Sequence, residues 1–296
     1  DKIDIMTKKA LQISKVNLKD IDAVAATAGP GLIVCLSVGL NFAKALALSL
    51  KKPFIAINHL EGHALSPKLN FNIKYPYLLF LISGGHTQYL TVKKLGEYKR
   101  LGTTIDDALG EVFDKTAKLL NLGYPGGPII EKLAKRGNEN KFILPKPIFN
   151  RGGSNLSFAG LKTAILRVKD YIKTQEDKKD LAASFQKTVL DILNKKTKIA
   201  IEQHLKLYPK SKTLVVAGGV AVNKQIRRTL KKLCQEENFN LYFPDVKLCT
   251  DNAAMIALAG LERFKKRKFN KHNFEADPRW QLDDKAKFMK GAGVKI

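Results

Sequence analysis

Two histidines four residues apart carry the most specific chemistry in this sequence. His59 and His63, in Ile57-Asn58-His59-Leu60-Glu61-Gly62-His63, follow an apolar run from Pro53 to Ile57 that reads as a strand entering a helix. Residues four apart share one helical face, so the two imidazoles can converge on one divalent metal. The chain has five histidines in all, and chance spacing is the competing reading. A third ligand must come from elsewhere. The candidate is Asp251 in Cys249-Thr250-Asp251-Asn252, read as the N-cap or first-turn acid of a helix. A helix dipole keeps such an acid ionised, whether it only caps the helix or also binds a cation. Zincin hydrolysis does not fit, because that motif places its general base directly after the first histidine. Leu60 stands there, and Glu61 is turned a further ~100° around the helix.

These ligands need a scaffold, and the chain supplies strands that end in glycine. The run Asp20 to Thr27 reads as a strand, Ala28-Gly29-Pro30-Gly31 as a turn, and about Leu32 to Leu50 as a helix, an α/β unit. Residues 1 to 15 have helical spacing. Tyr77 to Ile82 is apolar throughout, as in a buried strand, and ends in Ser83-Gly84-Gly85-His86 before a second strand at Thr87. Such a turn presents bare amides that can cradle an oxyanion, although paired glycines in hairpins also occur for steric reasons. Lys212 to Ala217 reads as another buried strand. It ends in Gly218-Gly219 and opens a helix carrying Asn223 at its N-terminus, where dipole and amides favour a phosphate. It is neither a Walker loop nor a dinucleotide fingerprint.

Between these two glycine pairs, Asp106 to Leu120 reads as one helix with Asp107, Glu111 and Asp114 on a polar face. That face is either solvated or suited to sugar hydroxyls or a magnesium–phosphate. Tyr124-Pro125-Gly126-Gly127-Pro128 is a rigid bend opening a helix near Ile129. Residues 138 to 156 read as a loop, and 177 to 207 as a long amphipathic helix.

The 296 residues, 45% of them hydrophobic, suffice for a sizeable core and for two lobes. Cys35, Cys234 and Cys249 are scattered, with no CxxC, which points to a reducing compartment rather than a disulfide framework. A net charge of +25 attracts polyanions such as nucleic acid, although the lysines are spread along the chain. No apolar run is long enough to span a bilayer.

The stretches DIDAVAATAGPGL, NHLEGH, LISGGHTQ, IDDALGEVFDKTAKLL, YPGGP, LSFAGLKT, VVAGGVAVN, CTDNAAMIA and PRW occur in this order along nearly the whole chain. Together they resemble the universal tRNA threonylcarbamoyladenosine transferase family, TsaD, once labelled Gcp or O-sialoglycoprotein endopeptidase. The resemblance implies an α/β, actin-like ATPase fold, the class of sugar kinases and heat-shock chaperones, with two lobes around a central cleft. Residues 1–76 would form the first lobe, joined by a C-terminal segment at 267–296, and residues 77–266 the second.

It further implies one divalent metal, iron(II) or zinc, on His59, His63 and Asp251, and an adenylate or ATP in the cleft. Threonylcarbamoyl-AMP would lie along Ile82, Ser83, Gly84, Gly85 and His86, with Asp114, Gly127 and Asn223 completing its pocket. Gly218 and Gly219 would be a phosphate loop, and His86 a proton shuttle. The product would be N6-threonylcarbamoyladenosine at position 37 of tRNAs reading ANN codons. Expected partners are tRNA, a TsaB-like paralogue and a TsaE-like ATPase, with no membrane, in the bacterial cytoplasm or alternatively an organellar matrix. A non-catalytic scaffold paralogue and a metallo-glycoprotease are the competing functions. Family members begin with a hairpin carrying a GIETSCDET-like loop, and this sequence starts after it. The first lobe is therefore expected to lack its N-terminal part, through an incomplete sequence rather than a truncated protein.

Overall fold

The computed structural model describes residues 2–287. It divides into two compact units. Among the described residues, one is built from 2–69 and 252–284, the other from 70–251 and 285–287.

The first unit opens with α1 (Ile3–Ser14), none of whose residues is buried. The strand expected from Asp20 begins later, as β1 (Val24–Gly29). Leu18–Asp20 instead forms a 3₁₀ turn, in which the Asp20 carboxylate accepts from the Asn17 side-chain amide at 3.0 Å and from its backbone N–H at 3.3 Å. Such local bonds compete with a sheet ladder. After α2 (Ile33–Ser49) the chain enters β2 (Phe54–Asn58), fully buried and parallel to β1, with Val24 opposite Phe54 and Thr27 opposite Ile57. The helix α3 (His59–Leu65) follows without a linker.

The second unit is built on a five-stranded sheet in the order β5-β4-β3-β6-β7. Its centre is β3 (Tyr77–Ile82), buried at every position as its unbroken apolar run predicts. On one side it pairs antiparallel with β4 (Thr87–Lys94), which carries β5 (Glu97–Thr103). The connections then run through α4 (Leu109–Leu119), α5 (Gly126–Ala134), α6 (Ala159–Val168) and the 33-residue α7 (Gln175–Leu207). Parallel to β3 lies β6 (Thr213–Ala217), followed by α8 (Lys224–Glu236) and the short edge strand β7 (Asn240–Tyr242). Aromatic side chains fill the core: Phe80 stacks on Tyr89 with centroids 4.2 Å apart, and Phe113 meets Phe185 edge-on at 5.1 Å.

Two buried polar groups tie α7 to its surroundings. Lys196 donates to the carbonyls of Arg151 and Gly153 at 2.8 and 3.2 Å, which stitches the long 138–156 segment to the helix. His204 bonds Thr91 Oγ1 and Ser211 Oγ, each at 2.9 Å, and burial pushes its pKa down to about 4. From Asn252 the chain is again part of the first unit, where α9 (Ala253–Lys265) packs on α3, β1 and β2. Among the described residues no helix is long and apolar enough to cross a membrane.

Candidate metal and substrate site

The strand-to-helix switch at the histidines is fixed by Asn58. It is the last residue of β2 and the cap of α3: its Oδ1 accepts from Leu60 N–H at 2.9 Å, while its amide donates to Trp280 O at 3.0 Å. The first helical residue is therefore His59, and His63 follows one turn later with its ring edge-on to that of His59, centroids 5.1 Å apart. Gly62 lies between them. A Cβ there would stand 3.1 Å from both Met255 and Ile256 of α9, so its hydrogen lets α9 come close.

That approach brings in Asp251. One ligand atom each from His59, His63 and Asp251 can be chosen so that all lie within 4.8 Å of one another. Two imidazoles and a carboxylate suit a borderline divalent ion such as zinc or iron(II). The expectation that Asp251 caps the following helix is corrected. The cap is Asn252, whose side chain accepts from Met255 N–H at 2.9 Å. Asp251 stands one residue earlier, outside the helix.

Glu61 is fully buried, and its Oε1 meets Arg263 Nε at 2.5 Å. A carboxylate held by a guanidinium is a poor base for hydrolysis, so the arrangement does not favour a metallo-glycoprotease. Cys249, two residues from Asp251, is buried, and burial raises its pKa although Arg227 opposes the shift. It sits as a small core residue.

The other predicted residues belong to the second unit. Ser83-Gly84-Gly85-His86 joins β3 to β4, closed by Ser83 N–H donating to His86 O at 2.7 Å and His86 N–H donating to Ser83 Oγ at 3.0 Å. Two glycines outside this turn press on it. A Cβ on Gly110, in the first turn of α4, would stand 2.8 Å from Gly84 Cα and from Ser83 O. Gly218 has φ +101°, and a Cβ on it would run into Ile82 O.

By contrast, Gly84, Gly85 and Gly127 have open space where a side chain would be, and none of them has a positive φ. The steric explanation for paired glycines therefore has no support at Gly84 and Gly85. Asp114 accepts from Gly126 N–H at 2.7 Å, which ties its helix to the Gly126-Gly127 turn. Gly219 lies toward Thr250, the neighbour of Asp251, whose methyl would be 3.8 Å from an added Cβ.

Two expectations here are corrected. The helix expected from Asp106 starts at Leu109, so Asp107, Glu111 and Asp114 do not share a helical face. Asp106 and Asp107 are instead drawn out of the helix by bonds of their own. Asp106 accepts from Phe158 N–H at 2.8 Å and from the Ser157 hydroxyl. Asp107 binds Lys115 at 2.9 Å and Lys162 at 3.1 Å; burial alone would raise its pKa, but the two ammonium groups bring it below the ordinary value. The second correction concerns the Gly218-Gly219 turn, which opens a single 3₁₀ turn, Gly219–Val222, rather than α8 itself. Asn223 then caps α8, accepting from Gln225 and Ile226 N–H, both at 3.0 Å, so those amides are taken.

Sequence reasoning missed Gly110 and Glu131. The first holds the Ser83–Gly84 backbone by close packing; the second accepts from Lys224 N–H at 2.9 Å, at the start of α8. Gly110 sits inside a strong helical run, where glycine costs about 1 kcal/mol relative to alanine. That unexplained cost was the available signal.

The family model described as TsaD, tRNA N6-adenosine threonylcarbamoyltransferase, matches residues 1–258. A protein of that name from Pelagibacter ubique is 64% identical over 297 residues, spanning 100% of this chain and 83% of its own length. One from Rickettsia rickettsii is 52% identical over 287 residues, covering 95% of this chain and 83% of the relative. The chain belongs to the TsaD family. Among solved structures it resembles full-length HypF in a phosphate- and nucleotide-bound form, with a TM-score of 0.64 at 14% identity over 90% of this chain and 42% of that one. It also resembles component A of the Acidaminococcus fermentans (R)-2-hydroxyglutaryl-CoA dehydratase, with a TM-score of 0.52 at 12% identity over 88% and 82%. At such identities the likeness concerns the fold, which is α/β of the actin-like ATPase class.

Proposed function

We propose that this TsaD-family chain transfers the threonylcarbamoyl group of threonylcarbamoyl-AMP to N6 of adenosine 37 in tRNAs reading ANN codons, with one divalent metal bound by His59, His63 and Asp251. The observation that carries this reading is the convergence of that carboxylate on the imidazole pair in a chain matched by the TsaD model over residues 1–258. A cation held there, iron(II) or zinc, supplies Lewis-acid polarisation of a carbamoyl or phosphate oxygen.

The remaining work falls to backbone and side chains. Gly84 and Gly85 are exposed and offer unobstructed backbone to an adenylate lying along Ile82–His86. Gly219, beside the crowded Gly218, adds a second open stretch of backbone for phosphate charge, and Asp114, Gly127 and Asn223 line the pocket at the nucleoside end. The adenine N6 attacks the carbamoyl carbon and forms the N–C bond. The bond from that carbon to the phosphate oxygen breaks, and AMP leaves with its electron pair. The N6 proton passes to His86 and on to solvent. No covalent enzyme intermediate is needed, and the acceleration comes from positioning and preorganised electrostatics. The partners in this reading are tRNA, a TsaB-like paralogue and a TsaE-like ATPase, in the bacterial cytoplasm.

The test is transfer of labelled threonylcarbamoyl from its adenylate to tRNA by the metal-loaded chain, with those partners supplied. Label recovered as N6-threonylcarbamoyladenosine at position 37 is expected. Label absent from tRNA under every metal and partner combination overturns the reading.

A further inference from the structure

Beyond the site itself, α8 carries a run of cations with no acid among them: Lys224, Arg227, Arg228, Lys231 and Lys232. Arg227, Arg228 and Lys231 line a cavity of about 460 Å³ between α8 and the edge strand β7, with Phe239 and Phe243 in its wall. Arg227 is fixed: its Nε donates to Ala221 O at 2.6 Å, its Nη2 to Pro244 O at 3.2 Å, and its guanidinium lies 4.4 Å over the Phe243 ring. Arg228 and Lys231 are exposed and make no ion pair among the described residues. Lys115, Lys141, Lys146 and Lys162 of the same unit, by contrast, each meet a carboxylate at 3.1 Å or less.

Uncompensated cations lining a groove are a surface for a polyanion. The two phenylalanines are not available for stacking: Phe239 is buried, and Phe243 lies under Arg227. The groove therefore meets phosphates and not bases. Its place along the helix is informative. With Asn223 as the cap, Arg228 and Lys231 lie about 7.5 and 12 Å further along the axis at 1.5 Å per residue. Both cations therefore lie within the length of a few nucleotides of the Asn223 end.

We infer that the α8–β7 groove, through Arg228 and Lys231, docks the phosphate backbone of the tRNA independently of its base sequence. The inference rests on the transferase reading above for the identity of the polyanion. The contact sets register and contributes counterion release. Its loss changes tRNA affinity and not the chemical step.

The test measures binding of a tRNA transcript to the chain across a salt series, without the adenylate donor. It is run for wild type, R228Q/K231Q, the charge-keeping R228K/K231R, and K266Q/K268Q, which removes equal charge beyond the end of α9. R228Q/K231Q is expected to weaken binding about tenfold or more near 0.1 M salt and to flatten the log–log salt dependence by about 1.5. In transfer assays the KM for tRNA rises while the KM for the donor and kcat stay put. R228K/K231R and K266Q/K268Q are expected to behave as wild type. Equal losses in R228Q/K231Q and K266Q/K268Q would mean a diffuse field and overturn the inference. So would unchanged binding in R228Q/K231Q, which would leave the groove to a protein or a small anion. Thermal melts check that each variant is folded. Binding that depends on Arg228 and Lys231 without any transfer would keep the groove and sink the transferase reading. Transfer that is indifferent to them would do the reverse.

Discussion

The histidine helix and the glycine turns make opposite demands on the chain. At α3 the proposed chemistry lies in side chains, and the fold must aim two imidazoles and a distant carboxylate at one point. At Ser83–His86 and Gly127 the proposed contacts lie in bare backbone, and the fold must keep side chains out of the way. Each region depends on glycine differently. Gly62, Gly110 and Gly218 are crowded, so they are structural necessities that let one backbone or helix approach another. Gly84, Gly85 and Gly127 face open space, and the fold does not require them to be glycine. Substituting the first group should cost stability; substituting the second should cost only ligand binding.

The largest expected effect is on the side-chain region. His63→Ala removes a proposed ligand and should lower bound metal and threonylcarbamoyl transfer together, the latter by about 100-fold or more. Metal analysis and a transfer assay on the same preparation check this, and full metal retention would count against the pair. Next comes Gly218→Ala, whose methyl would run into Ile82 O at a φ of +101°. A loss of about 3 kcal/mol in urea unfolding is expected. Gly85→Ala sharpens the contrast, with unfolding unchanged and the KM for the adenylate donor raised about tenfold. If Gly85→Ala instead unfolds the chain and Gly218→Ala does not, the division into crowded and open glycines is wrong.

Smaller still, Asn252→Ala removes the α9 cap and should cost about 1 kcal/mol of stability. The smallest effect is on pH dependence. His204 is held neutral by burial, with a pKa of about 4. An imidazole depressed in the fold contributes its stability in full above the ordinary value near 6.5 and loses it as pH falls toward 4. The urea midpoint should therefore drop between pH 6.5 and 4.5, and less steeply in His204→Asn.

What could be read from the residues alone follows the same division. The α3 pairing was legible because a four-residue spacing on a helix fixes a shared face. The buried strands β3 and β6 were legible from unbroken apolar runs. Asp251 was legible as a candidate third ligand but was given the wrong local role, because Asp and Asn both cap helices and two adjacent candidates cannot be ranked without backbone angles. Asp107 was misplaced because its helical pattern is overridden by Lys162, far along the chain. The roles of Gly110 and Gly218 were hidden because the close approach each allows involves a segment remote in sequence.

The most direct test of the central claim is a paired measurement on Asp251→Asn, which keeps size and the neighbouring Asn252 cap while removing the carboxylate. Metal content and threonylcarbamoyl transfer to tRNA are determined on one preparation beside wild type. The account predicts about one divalent ion per wild-type chain, and in the variant a joint fall of metal and transfer with the melting behaviour of the metal-free protein unchanged. A variant that keeps both its metal and its transfer rate would contradict it.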